Sequence, residues 1–236
     1  MAKIRGLVAL GLALAWLAPV HAKPNANKLC DQADAYFKQG KIRECMQKYA
    51  EALEADPQCA RAYAARGALT SEAAEGALAR GDQATAVNYY QAGLSDLSKA
   101  IRYDPKDAMS YANRGTCYYR MSDFPKALND FNCSLAIKPS GQVYGSRAGC
   151  YTKLKRDKDA IADYTKAYSL GHNANFLFNR GNAYLRLNQK DKARADYEQA
   201  LRESKDPRVI AGAKNNLQAL KEGSQQLPTT APNRPR

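Results

Sequence analysis

Three segments of this 236-residue chain repeat one another at a fixed distance. Tyr111-Ala-Asn-Arg-Gly-Thr-Cys-Tyr118, Tyr144-Gly-Ser-Arg-Ala-Gly-Cys-Tyr151 and Leu177-Phe-Asn-Arg-Gly-Asn-Ala-Tyr184 are each displaced from the last by 33 residues. A period of that size marks a unit that cannot bury its apolar face alone and must stack on copies of itself. Each segment is followed by a second periodic stretch: Ala127, Phe131 and Leu135; Ala160, Tyr164 and Tyr168; Ala193, Tyr197 and Leu201. Apolar residues at i, i+4 and i+8 mark a helix with one buried face. Each unit is therefore expected to be a pair of antiparallel helices joined by a short turn.

The N-terminal part falls in the same register. Ala33, Tyr36, Gly40, Cys45, Tyr49, Ala52, Leu53 and Pro57 align with Gly115, Tyr118, Ser122, Ala127, Phe131, Ser134, Leu135 and Pro139. A small residue, Tyr, a turn residue, Ala, an aromatic, Ala-Leu and Pro in this order resemble the tetratricopeptide repeat. The resemblance covers about residues 26–206 and implies an all-α, right-handed superhelical solenoid of about five repeats. The units fall at about 26–59, 60–107, 108–140, 141–173 and 174–206. Asp206-Pro207 then opens a stretch with Ile210, Ala213, Leu217 and Leu220 on one stripe, expected as a capping helix over 207–222. The Pro-rich tail 223–236 is expected to be disordered.

The second unit is longer than the others. In the ordinary repeats an Arg and an Asp sit symmetrically about the turn: Arg114 and Asp130 about Ser122, Arg147 and Asp163 about Lys155, Arg180 and Asp196 about Asn188. In the second unit Arg66 and Asp96 centre on Gly81 with 14 extra residues between them. That predicts seven residues added to each helix, so this hairpin projects on the order of 10 Å beyond its neighbours. The mirrored Asp also decides what the repeated Arg is for. An interhelical ion pair that fixes register is a better account than a basic stripe that binds an anion.

Before the array, Lys3 and Arg5 precede an uncharged apolar run from Gly6 to Pro19, and Val20-His21-Ala22 offers small residues to a signal peptidase. The run is too short to span a membrane, so residues 1–22 read as a cleaved signal peptide. An exported protein, periplasmic or secreted and of bacterial type, is the expectation, with no transmembrane segment after cleavage. The formal charge of +13 falls to +11 once Lys3 and Arg5 are removed.

Inventory limits the chemistry. Only His21 and His172 are present, so a site needing two histidines in the mature chain is excluded. The six cysteines, Cys30, Cys45, Cys59, Cys117, Cys133 and Cys150, contain no CxxC and are spaced by 14 residues or more, which disfavours zinc. Either Cys133 with Cys150 or Cys117 with Cys133, mirrored about a turn, is a candidate for a disulfide, and packed free thiols fit equally well. No cofactor or metal and no catalytic residue is expected.

The resemblance also implies a binding face. In tetratricopeptide proteins the first helices line a concave groove, and the matching positions here are Asp34, Phe37 and Lys38 in the first unit. Asn113, Thr116, Tyr119 and Arg120 follow in the third, Ser146, Gly149, Thr152 and Lys153 in the fourth, and Phe178, Asn179, Asn182 and Arg186 in the fifth. Asn113 and Asn179 stand where family members hold a peptide backbone. Arg120, Lys153 and Arg186, spaced by 33, form either a cationic ladder or a set of solvated helix-end charges. The carboxylate clamp of the family is not reproduced, since Cys30 and Asp34 replace its basic residue and Asn.

The function expected is a non-catalytic scaffold that binds a peptide or partner domain in this groove, in a cell-envelope assembly. A basic binder of anionic polymers is the alternative. Nucleic acid is disfavoured because the basic residues are spread over all units without aromatic interleaving. A thiol-redox enzyme would need an exposed cysteine of depressed pKa.

Overall fold

The computed structural model describes residues 25–222, so the expected signal peptide and tail lie outside the described residues. Ten helices pair as antiparallel hairpins: α1 (Ala26–Lys38) with α2 (Ile42–Ala55), α3 (Ala60–Ala79) with α4 (Gln83–Tyr103), and α5 (Ala108–Arg120) with α6 (Phe124–Ile137). The last two pairs are α7 (Gly141–Lys153) with α8 (Asp157–Gly171) and α9 (Ala174–Arg186) with α10 (Lys190–Glu203). Helix α11 (Pro207–Lys221) follows them, and no strand occurs among the described residues.

The turn residue of every hairpin is the midpoint that the sequence marks. Gly40, Gly81, Ser122, Lys155 and Asn188 all adopt positive φ, between 57° and 81°. Glycine enters this left-handed region freely, and the other three residues hold it against a steric cost. Helix starts are tied down by side chains: Asn25, Asp107, Asn173 and Asp206 cap α1, α5, α9 and α11, and Asp82 and Asp123 cap α4 and α6. Each accepts from backbone N–H groups that the helix itself leaves unpaired.

Inside each ordinary hairpin a ring on the second helix lies against a glycine or other small residue on the first. A Cβ at Gly115 would come within 2.9 Å of the Phe131 ring, and one at Gly181 within 2.7 Å of Tyr197. Between hairpins, Phe176 of α9 packs on Gly145 of α7 and Phe178 of α9 faces Gly212 of α11. The core is thus a column of small clusters, with Ala and at least one aromatic buried in every hairpin, and Cys30, Cys45, Cys117 and Cys150 buried in the first, third and fourth.

The repeated Arg and Asp build the interhelical pair that their mirrored spacing predicts. Arg66, Arg114, Arg147 and Arg180 each grip Asp96, Asp130, Asp163 or Asp196 through two nitrogens at 2.6–2.8 Å. Three of them also reach back to the preceding hairpin: Arg114 to Ser98 at 3.2 Å, Arg147 to Asn132 at 2.7 Å and Arg180 to Thr165 at 2.9 Å. Tyr63, Tyr111 and Tyr144 lie beneath the guanidinium groups of Arg66, Arg114 and Arg147 at 5.4–5.8 Å.

The second hairpin has the predicted extension: α3 has 20 residues against 13 in α1, α5, α7 and α9, and α4 has 21 against 14 in α2, α6 and α10. Its outer half is not a loose arm. Ala74, Ala77, Ala86 and Tyr90 are buried within it, and Cys117 of α5 belongs to the same cluster. Tyr90 follows Gly81 by nine residues, as Phe131 follows Ser122 and Tyr197 follows Asn188. The extension therefore repeats the tip of an ordinary hairpin, and Arg66 and Asp96 repeat its base.

Candidate functional site

The first helices lean on one another along the stack. Successive pairs α1–α3, α3–α5, α5–α7 and α9–α11 touch, and the second helices show no comparable succession. A stack whose elements are closer on one side bends toward that side, so the first helices line the inner face. The nine expected groove positions lie on α5, α7 and α9; the structure divides seven of them into three sets and leaves Tyr119 and Lys153 apart.

Asn113, Ser146 and Asn179 form the first set. Each sits one residue before the structural Arg of its helix, each is half-buried, and none uses its side chain in a hydrogen bond among the described residues. Three polar side chains with spare hydrogen-bonding capacity thus recur at one register on three successive hairpins. Tyr119, also half-buried, stands edge-on to Phe124 at 5.7 Å and faces Gly149, and Lys153 is exposed at the end of α7.

Phe178 and Asn182 are the second set, and they are core, not groove. Phe178 is 1% exposed, with its ring beside Tyr197 at 5.8 Å and under α11. Asn182 is 2% exposed and accepts from the Tyr197 hydroxyl at 2.7 Å and from Asn216 Nδ2 at 3.0 Å. The capping helix covers both, which a register carried over from uncapped repeats does not anticipate. The position of Asn182 serves the hairpin elsewhere too: Tyr49 donates to Asp34 and Tyr90 to Glu75. Counting from the turn residue would have found this pairing, since acceptor and hydroxyl lie six before and nine after it each time.

Arg120 and Arg186 are the third set. Arg120 Nε lies 2.7 Å from Glu75 of the long hairpin, and Arg186 lies 2.6 Å from Asp157 at the start of α8. Both arginines join neighbouring hairpins, so the cationic ladder is reduced to Lys153. In the first hairpin Cys30 is fully buried, and Arg61 of α3 pairs with Asp31 at 2.8 Å and Asp34 at 2.6 Å.

All six cysteines are free thiols. The Cys133–Cys150 bridge is not formed, because the loop between α6 and α7 is centred on residue 139. The mirror of Cys133 is then Gly145, and Cys150 lies five residues, about 7 Å, further along α7. Cys150 faces a core with Phe131 and Val143, and burial pushes its thiol up to about 12. Burial likewise raises Cys117, to about 11, and Cys45. These are the environments of inert thiols rather than nucleophiles. Among the described residues no group of three or more His, Cys, Asp or Glu could hold a metal ion. No described helix is long and apolar enough to cross a membrane.

Three stretches, 29–59, 108–140 and 174–207, match the family described as tetratricopeptide repeat. They fall on the first, third and fifth hairpins. In those three hairpins the chain matches tetratricopeptide repeats. Among curated proteins, Hsp70-Hsp90 organizing protein 3 of Arabidopsis thaliana is 27% identical over 114 residues, covering 48% of this chain and 18% of that one. Hsp70-Hsp90 organizing protein 1 of Glycine max is 30% identical over 119 residues, covering 49% and 18%. The chain thus spans less than a fifth of the length of these relatives. Among solved structures, MamA superposes with a TM-score of 0.61 at 18% identity, covering 76% of this chain and 91% of that one. YrrB, described as a TPR protein with an unusual peptide-binding site, gives 0.63 at 16% identity, covering 80% and 92%. At these identities the two structures establish the solenoid fold.

Proposed function

We propose that this protein is a non-catalytic interaction scaffold that holds a peptide or partner domain along its first-helix face, within a cell-envelope assembly. The observation that carries the reading is the register of Asn113, Ser146 and Asn179, polar and uncommitted on three successive hairpins. An extended peptide entering such a face must keep its own amides hydrogen-bonded, and side chains with both donor and acceptor meet that need. The rigid, internally paired arginines support it by fixing the spacing between these side chains, so that little ordering is left for the binding step. The peptide-binding description of YrrB and the chaperone-organizing relatives are in keeping with it. The envelope setting rests on the leader, with Lys3 and Arg5 before an apolar run from Gly6 to Pro19 and small residues for cleavage after Ala22.

The test is a crosslinking pull-down of the mature protein at low and high salt, wild type against Asn113→Ala/Asn179→Ala. A protein partner retained at high salt and lost in the variant is the expected result. Recovery of polyanions alone, released by salt and indifferent to the variant, would overturn the reading in favour of an electrostatic binder. N-terminal mass analysis of the expressed protein checks the export step, with Lys23 expected as the first residue.

A further inference from the structure

The first hairpin is the end of the described stack. Helices α1 and α2 have a neighbouring hairpin on one side only, and Phe37 and Ile42 stay 45% and 47% exposed. Terminal units of a repeat array are the first to open. Two features tie α1 to the start of α3. One is the pair of ion contacts from Arg61 to Asp31 and Asp34. The other is a sulfur contact: Cys30 Sγ and Cys59 Sγ lie 3.9 Å apart, with Cys30 wholly buried and Cys59 7% exposed. Asp31 adjoins Cys30 and Arg61 is two residues after Cys59, so the ion pair holds the two segments at the register that keeps the sulfurs together.

We infer that Cys30 and Cys59 are a disulfide-forming pair, which a disulfide-type oxidant closes into a staple between α1 and the α2–α3 junction. The proposal stands apart from what the first-helix face binds. A disulfide needs the sulfurs about 2 Å closer than they are, and Cys59 precedes α3 with extended backbone, outside the helix. Cys59, less buried than Cys30, is the sulfur that meets the oxidant first. Its thiolate attacks the oxidant's S–S bond and releases one thiolate, leaving a mixed disulfide on Cys59. Cys30, whose thiol burial pushes up to about 12, then attacks the Cys59 sulfur as its proton passes to the departing oxidant sulfur, which leaves as the second thiol. Two S–H bonds are exchanged for one S–S bond, and the oxidant's disulfide is reduced to two thiols. The staple closes the whole first hairpin into a covalent loop, which constrains the unfolded chain and keeps the terminal unit docked.

The experiment uses the full chain, reduced, freed of reductant and incubated natively with oxidised glutathione. Remaining thiols are blocked with iodoacetamide after denaturation, and the unreduced digest is mapped by mass spectrometry. The expected result is a Cys30–Cys59 cross-linked peptide with the other four of the six cysteines alkylated. The native protein should melt several degrees higher once oxidised, on the order of 5 °C, and dithiothreitol should reverse the gain. Cys133→Ser should keep the shift and Cys59→Ser should lose it. Linkage through Cys45, linkage of Cys133 to Cys150, a persistent glutathione adduct or six unreacted thiols would each overturn the proposal. If Cys59→Ser does not fold, the peptide map of the wild type decides alone.

Discussion

Asp130 is 1% exposed, and two nitrogens of Arg114 donate to its carboxylate at 2.8 Å each. Removing one member of such a pair strands a desolvated charge, whereas replacing both with apolar residues of similar volume is close to neutral. Arg114→Met is therefore expected to destabilise the protein by about 3 kcal/mol, and Arg114→Met/Asp130→Leu by far less. Urea melts followed by circular dichroism measure both, and equal losses in the two variants would contradict the register-fixing role. Close approach sets a second residue-scale limit. At Gly145 the Phe176 ring occupies the space of a Cβ, so Gly145→Ala is expected to cost about 1–3 kcal/mol by overpacking the α7–α9 contact.

Turns and hairpins act as elements. Lys155 holds φ at 57° where the first two hairpins have glycine. Lys155→Gly removes a steric cost of about 1–2 kcal/mol and adds unfolded-state entropy of roughly half that, so a net gain of up to about 1 kcal/mol is expected. A melt that falls instead would show that Lys155 contributes something beyond its turn geometry. The extended hairpin makes a different prediction. Glu75 accepts from the Tyr90 hydroxyl at 2.5 Å and pairs with Arg120, whose side chain is 19% exposed. Glu75→Ala removes both contacts and is expected to cost about 1–3 kcal/mol. The same variant with Arg120→Met should recover part of that loss, which urea melts resolve.

The molecule as a whole is a column of clusters, so its ends matter more than the ends of a single-core domain. Helix α11 buries Val209, Ala213 and Asn216 and covers Phe178 and Asn182. Truncation after Asp206 should expose this cluster and produce a protein that associates in size-exclusion chromatography; a well-behaved monomer would argue against a capping role. Acid should unfold the stack for a distributed reason. Asp82 and Asp123 are held below the ordinary carboxylate value, the first by hydrogen bonds from Thr85 and the second chiefly by Lys126. At Asp34 burial pushes the pKa upward, but hydrogen bonds from Tyr49 and Arg61 outweigh it and leave the group lowered. A carboxylate depressed in the folded state contributes stability above its unfolded pKa and loses it as pH falls through the folded value. Helical ellipticity is therefore expected to hold at neutral pH and to collapse below about pH 4.

The sequence by itself determined the repeat, because a period of 33 residues with apolar positions at helical spacing admits only stacked helix pairs. It also determined the Arg–Asp pairs, the turn residues and the length of the second hairpin. These depend on contacts within one hairpin, where chain position and height along the helix are the same information. Contacts between hairpins were legible only in part. Phe178 and Asn182 share a helix with Asn179, yet α11 closes over the first two and leaves the third half-exposed. Arg120 and Arg186 are neutralised by carboxylates 45 and 29 residues earlier in the chain, in the preceding hairpins. Cys30 meets Cys59 across a junction that no mirrored spacing describes. Each of these depends on the rotation and lateral offset of one hairpin against the next, which side-chain packing sets and which a one-dimensional period does not encode.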